Sequence, residues 1–150
     1  MSQKVCLVLS SGGARGYAHI GVIEALAERG YTISSVTGCS MGAVVGGIYA
    51  AGGLNAFRKW ACDLDRSDVF KLYDFAFSSQ GLLRGEGVFQ QIEKFVPDQN
   101  IEDLDVSFCA VSADLDSRKE VVFRDGSLYK ALRASSAIPA VMTPTDYDEH

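Results

Sequence analysis

The sequence predicts a three-layer α/β/α sandwich around a mainly parallel central sheet, and three observations carry that expectation. Residues 5–9 form a continuous apolar run, the pattern of a strand buried on both faces. A glycine-rich break over residues 10–16 and then a helical apolar pattern follow it. The order then repeats, with an apolar run at residues 33–37, a tight turn at residues 38–42 and a helix of small residues. Strand, loop, helix, strand, turn, helix is the alternation that builds parallel sheets.

Each element has its own signal. A helix is expected over residues 17–29, where Ile20, Ile23 and Ala27 share one face and Ala18, Val22 and Leu26 widen it. Glu24 and Glu28, one turn apart, form its wet edge, and Gly30 suits a left-handed cap. In the next helix, residues 43–51, Gly46 and Gly47 would weaken an isolated helix, so they predict close packing. Gly52 and Gly53 stop it, and a further helix spans residues 54–62. Residues 63–87 are irregular and carry Phe70, Tyr73, Phe75 and Phe77. They read either as a surface excursion with aromatics folded onto the core or as a wall facing substrate. Val88, Ile92 and Phe95/Val96 stripe a helix that ends before Pro97. A buried strand at residues 106–111, a turn at 114–118 and a strand at 120–124 suit a hairpin. Ser127 stands where it would cap a helix carrying Leu128, Ala131, Leu132 and Ser135. The remainder, through Pro139 and Pro144 to His150, completes no further element.

The 150 residues suffice for one domain with a sizeable core, and 47% apolar against 22% charged residues argues for a globular chain over a disordered one. The net charge of −5, with no Lys/Arg-dense stripe, argues against nucleic acid as a partner. A small basic patch remains compatible with an anionic membrane. Cys6, Cys39, Cys62 and Cys109 are too widely spaced for a zinc pattern. Cys6 and Cys109 lie in apolar runs and are expected to be reduced core residues. No secretory leader or membrane span is read in the sequence. The expected compartment is the cytoplasm, with any membrane contact peripheral and at the inner face. No metal or other cofactor is expected.

Gly38-Cys39-Ser40-Met41-Gly42 matches G-x-S-x-G, the nucleophile-elbow pattern. Its physics is steric: glycines two positions either side leave room for a sharp strand-to-helix turn that pushes the serine hydroxyl out above the sheet. The helix that follows then aims its dipole and free N–H groups at a developing oxyanion. The plainer reading is a small residue in a tight turn. Gly12, Gly13, Ala14, Arg15 and Gly16 form a second loop whose N–H groups suit an anion, either an acyl-transfer oxyanion or a phosphate. Arg15 suits an anionic substrate group or a structural salt bridge. The loop lacks the Lys-Ser/Thr ending of a phosphate-binding P-loop and the spacing of a dinucleotide fingerprint. A serine nucleophile needs a base. His19, at a helix start, reads as a packing or hydrogen-bonding residue, while Asp114 with the terminal His150 satisfies the chain order of a triad.

The segment Ser10-Ser11-Gly12-Gly13-Ala14-Arg15-Gly16, followed by Gly38-Cys39-Ser40-Met41-Gly42, resembles the bacterial patatin-like phospholipases. The run HIGVIEALAERG, Val111-Ser112-Ala113-Asp114-Leu115 and Ala134-Ser135-Ser136-Ala137-Ile138-Pro139 extend the resemblance over nearly the whole chain. It implies a Ser–Asp dyad without histidine, with Ser40 as nucleophile. Gly12, Gly13, Ala14 and Arg15 are then the oxyanion loop, and Met41 joins them in oxyanion or substrate binding. The family's aspartate precedes glycine shortly after the Ser-Ser-x-x-Pro segment. Asp146 and Asp148 lack a following glycine, and Asp125–Gly126 comes too early. The resemblance therefore implies an N-terminal fragment of the hydrolase domain, incomplete at its C-terminus, with the aspartate expected after His150. The implied activity is hydrolysis of carboxylic esters in lipids through a serine acyl-enzyme. Two alternatives stand beside it: a soluble thioesterase or small-ester hydrolase, and a non-catalytic lipid-binding or regulatory domain.

Overall fold

In the computed structural model, alternating apolar runs and glycine breaks become a mixed, mostly parallel sheet flanked by helices, the α/β/α arrangement. The described residues are 2–65, 68, 86–94, 96–138 and 142. The expectations for Phe70, Tyr73, Phe75, Phe77, Phe95, Pro139, Pro144, Asp146, Asp148 and His150 lie outside them.

Strand β1 (Gln3–Leu9) leads through a 3-10 turn (Gly13–Tyr17) into helix α1 (Ala18–Glu28). Strand β2 (Tyr31–Cys39) is followed by α2 (Met41–Ala50) and α3 (Leu54–Asp63). Helix α4 (Glu86–Glu93) precedes the hairpin strands β3 (Ser107–Ala113) and β4 (Glu120–Phe123), and α5 (Leu128–Ser136) follows them. The sheet order is β1-β2-β3-β4, parallel as far as β3 and antiparallel at β4. Leu7 pairs with Val36, which pairs with Phe108, while Leu9 pairs with Gly38, which pairs with Ala110. Thus β1, β2 and β3 all run out toward one edge, where the loop after β1 and the turn after β2 emerge side by side.

Helix α2 is the centre of the core. Val45 and Ile48 are fully buried, in one cluster with Ile23, Phe57, Ile92, Leu128 and Leu132. Each such side chain contributes about 1.5–3 kcal/mol by leaving water. The small residues of α2 exist for contact: a Cβ on Gly46 would lie 2.7 Å from Val36 Cγ1. Ser127 caps α5 as expected, its Oγ accepting the Lys130 N–H at 3.1 Å, and Asp98 accepts from Ser127 Oγ and from the Tyr129 N–H.

Three sequence expectations change. Among the described residues β1 pairs with β2 alone, as an edge strand. Its pleat turns Val5, Leu7 and Leu9 to the core and leaves Val8 83% exposed and Cys6 exposed, so Cys6 is not a core residue. Cys109 is buried, as expected. In α1, Ile20 and Ile23 are buried but Ala27 is exposed and Val22 is 49% exposed. The apolar face is therefore narrower than its periodicity implies. Finally, the glycine segment is helical in part: Gly13–Tyr17 makes a 3-10 turn, held at its start by the Arg15 N–H on Gly12 O at 3.0 Å.

Candidate active site

Strand β2 ends at Cys39 and α2 begins at Met41, so Ser40 alone turns the chain. It does so at φ +53° and ψ −124°, a left-handed backbone for a residue with a side chain. Such a conformation costs about 1–3 kcal/mol and persists only where its surroundings hold it. The surroundings are visible. A Cβ on Gly38 would stand 2.4 Å from Ala43 Cα, and one on Gly42 would stand 2.2 Å from the Leu9 carbonyl oxygen. Only glycine fits at either place, which is why the spacing around the serine is obligatory. The Ser40 carbonyl accepts the Val44 N–H at 3.0 Å and so opens the first turn of α2. Its N–H donates to Ser135 Oγ at 2.8 Å, and Ser135 Oγ donates to the Val111 carbonyl at 2.6 Å. The N–H groups of that first turn, Met41 onward, have no intrahelical carbonyl to meet and carry the positive end of the helix dipole.

The loop after β1 lies against this turn. Gly16 is buried, and a Cβ there would meet Met41 Cγ at 2.4 Å. Ser11 Oγ donates to Cys39 Sγ at 3.5 Å. Ser11 and Gly16, which bracket Gly12, Gly13, Ala14 and Arg15, thus meet Cys39 and Met41, the two chain neighbours of Ser40. Gly13 and Ala14 open a 3-10 turn, where main-chain N–H groups lack internal partners, whereas the Arg15 N–H is spent on Gly12 O. The Arg15 side chain is exposed and makes no ion pair among the described residues.

His19 Nε2 is 2.8 Å from the Ser10 carbonyl, so it donates there and steadies the start of the loop. That is the hydrogen-bonding role expected of it. Asp114 is a turn builder: its Oδ1 accepts from the N–H groups of Asp116 and Ser117, and its Oδ2 accepts from Ser117 Oγ at 2.6 Å. Among the described residues no carboxylate or imidazole is hydrogen-bonded to Ser40. The sequence gives Ser135 a place on its helix but no role at the turn, although Ala134-Ser135-Ser136 is part of the segment that extends the resemblance.

A cavity of about 340 Å³ between α4 and α5 is lined by Phe89, Gln90, Glu93, Asp98, Tyr129 and Arg133, and neither Ser40, Met41 nor the loop after β1 lines it. Two of its polar groups, Asp98 and Tyr129, serve the fold. Tyr129 Oη donates to the Val96 carbonyl. Burial, and then the negative charges of Glu93 and Asp98, push the Tyr129 phenol well above its ordinary range.

Comparison with known proteins places these features in a lineage. The patatin-like phospholipase family matches residues 7–150. An NTE family protein of Mycobacterium tuberculosis is 48% identical over 147 residues, which cover 98% of this chain and 41% of that protein. Human patatin-like phospholipase domain-containing protein 6 is 32% identical over 145 residues, covering 93% of this chain and 10% of its own length. The rat domain-containing protein 7 matches at 32% as well, over 11% of its length. The chain thus spans about two fifths of the mycobacterial relative's length and far less of the mammalian ones.

Proposed function

We propose a reaction on one premise: the chain belongs to the patatin-like phospholipase family. Membership supports a lipid acyl hydrolase of the patatin type in general terms. Within that class the reading is hydrolysis of carboxylic ester bonds in phospholipids or lysophospholipids, with Ser40 as nucleophile. Ser40 Oγ attacks the ester carbonyl while a carboxylate takes its proton. We assign that base to an aspartate outside the described residues. The tetrahedral oxyanion is met by N–H donors of Met41 and of the Gly12-Gly13-Ala14 loop, and the exposed Arg15 suits an anionic headgroup. Collapse breaks the C–O bond, and the departing alcohol recovers the proton from the acid. Water, deprotonated by the same carboxylate, then attacks the acyl-enzyme, releasing the fatty acid and free Ser40. We place this reaction in the cytoplasm at the inner membrane face, a setting that suits four unpaired cysteines and a lipid substrate.

The observation that carries the reading is Ser40 at φ +53° between β2 and α2, with main chain pressed against both flanking glycines. A small residue in an ordinary turn has no need of that strain. The test uses full-length protein, a fluorophosphonate probe and phospholipid vesicles. Ser40→Ala should abolish labelling and fatty-acid release. His19→Ala should keep labelling within about tenfold, since loss of a triad base costs about 10⁴-fold or more. Labelling of a residue other than Ser40, or none at all, refutes the reading. Faster turnover of thioesters or soluble esters than of vesicles would move the substrate class.

A further inference from the structure

We propose that Ser135 is a positioning residue for Ser40. Its hydroxyl bridges the Ser40 N–H and the Val111 carbonyl, holds the nucleophile's main chain in its strained turn, and withdraws that N–H from the oxyanion donors. The catalytic half of this proposal rests on Ser40 being the nucleophile; the structural half does not.

The argument begins at the end of the sheet. Strands β2 and β3 pair in parallel up to Cys39 with Val111. The first main-chain donor beyond β2 is the Ser40 N–H, and the acceptor on β3 that shares its bridge is the Val111 carbonyl. Ser40 turns to positive φ at this point, and the ladder stops. The Ser135 hydroxyl is inserted between the two groups, accepting from Ser40 N at 2.8 Å and donating to Val111 O at 2.6 Å. A hydroxyl has one proton to give and lone pairs to accept with, so a serine can splice a donor to an acceptor through a single atom. Its proton is committed to Val111, and a lone pair is thereby aimed at Ser40.

Ser135 is itself held firmly. It lies in the last turn of α5, whose N-terminus is fixed by the Ser127 and Asp98 caps. One residue before it, the Ala134 carbonyl accepts from Ser112 Oγ at 2.8 Å. The end of α5 is thus moored to adjacent residues of β3, Val111 and Ser112, by two hydroxyls, one from each element. Ser40 inherits that rigidity from a residue 95 positions away. The consequence for chemistry is specific. With its own N–H occupied, Ser40 contributes no donor to an oxyanion, and the donors must come from Met41 onward and from the loop after β1.

The experiment compares full-length wild type, Ser135→Ala and Ser135→Thr in two arms. The first measures amide hydrogen exchange at Ser40, which reads the hydrogen bond whether or not the serine reacts. Exchange in the alanine variant should be at least about tenfold faster than in wild type, and threonine, which keeps the oxygen, should restore protection. The second measures fluorophosphonate labelling of Ser40, below each variant's unfolding temperature and resolved into probe affinity and inactivation rate. Small misplacement of a nucleophile costs up to about a hundredfold. The inactivation rate should therefore fall about tenfold to a hundredfold with alanine, recover with threonine, and leave probe affinity unchanged. Equal exchange at Ser40 in wild type and the alanine variant overturns the proposal. So does unchanged labelling, a loss confined to probe affinity, or failure of threonine to restore either readout. If the wild type does not label at all, the nucleophile reading fails by itself, and the exchange arm still decides the role of Ser135.

Discussion

Adding one methyl group at Gly42 separates a required elbow from a tolerant turn. In Gly42→Ala the new carbon would stand 2.2 Å from the Leu9 carbonyl oxygen and 2.5 Å from that of Ser10. Carbon–oxygen contacts relax at about 3.3–3.6 Å, so β1 and the start of α2 would have to part by about 1 Å. Neither obstacle is a side chain that can rotate away; both are main chain at the end of a paired strand. The cost therefore lies at the upper end of the overpacking range, about 3 kcal/mol. At about 2–4 °C per kcal/mol for a domain of 150 to 250 residues, the unfolding midpoint should fall by about 6–12 °C. Ser40 is two residues away on the displaced segment, so its labelling by a fluorophosphonate should fall by about a hundredfold in the folded protein. Calorimetry and labelling kinetics on the full-length variant provide both readings. A midpoint within about 1 °C of wild type, with labelling at the wild-type rate, would refute the claim that close approach to β1 sets the geometry of the turn.

Two further substitutions probe the fold away from the turn. Gly21 lies inside α1 with nothing within 4 Å of a Cβ and no positive φ, so Gly21→Ala should stabilise by about 0.5–1 kcal/mol, and an unchanged or lower midpoint in thermal unfolding would refute this. Because the folded protein raises the Tyr129 phenol above its ordinary value of 10, the stability it contributes is intact below pH 10 and is lost as pH rises through the higher native value. Urea midpoints should therefore fall more steeply above pH 10 in wild type than in Tyr129→Phe, and parallel profiles would exclude the effect.

Much of the fold was legible because its determinants are local. The helix expected at residues 54–62 is Leu54–Asp63, and the expected Ser127 cap forms with the Lys130 N–H. The cap, the stop at Gly52–Gly53 and the Gly30 turn each depend on hydrogen-bond partners within five residues. The outer face of β1 was not legible. A run such as Val5-Cys6-Leu7-Val8-Leu9 says that either face tolerates burial, but which face is covered depends on elements far along the chain. The same holds for Ala27: periodicity finds the direction of a helix face, while its width is set by the partner that lands on it. The Gly13–Tyr17 turn escaped for a different reason. A glycine-rich segment reads as a loop because glycine opposes long helices, yet a short 3-10 turn asks for only a few i to i+3 bonds.

The candidate site divides along the same line. Gly38, Ser40 and Gly42 were readable together as one motif, although only the demand at Gly38 is met within five residues, at Ala43, while that at Gly42 comes from Leu9 and Ser10. The approach of the Gly12–Arg15 loop needed one more fact, that β1 and β2 are parallel neighbours, since parallel strands deliver their following loops to one edge. Ser135 needed the whole closure of the sheet. A serine near a helix end serves equally as surface, cap or side-chain anchor. Only the pairing of Cys39 with Val111, and the docking of α5 on β3, put its hydroxyl between two main-chain groups. The strain at Ser40 is consequently held from three ranges of sequence at once: flanking glycines, the end of the neighbouring strand, and a hydroxyl 95 residues on. A five-residue motif placed on another sheet would keep the first of these and lose the other two. The motif therefore makes the turn possible, and the register of the sheet makes it rigid.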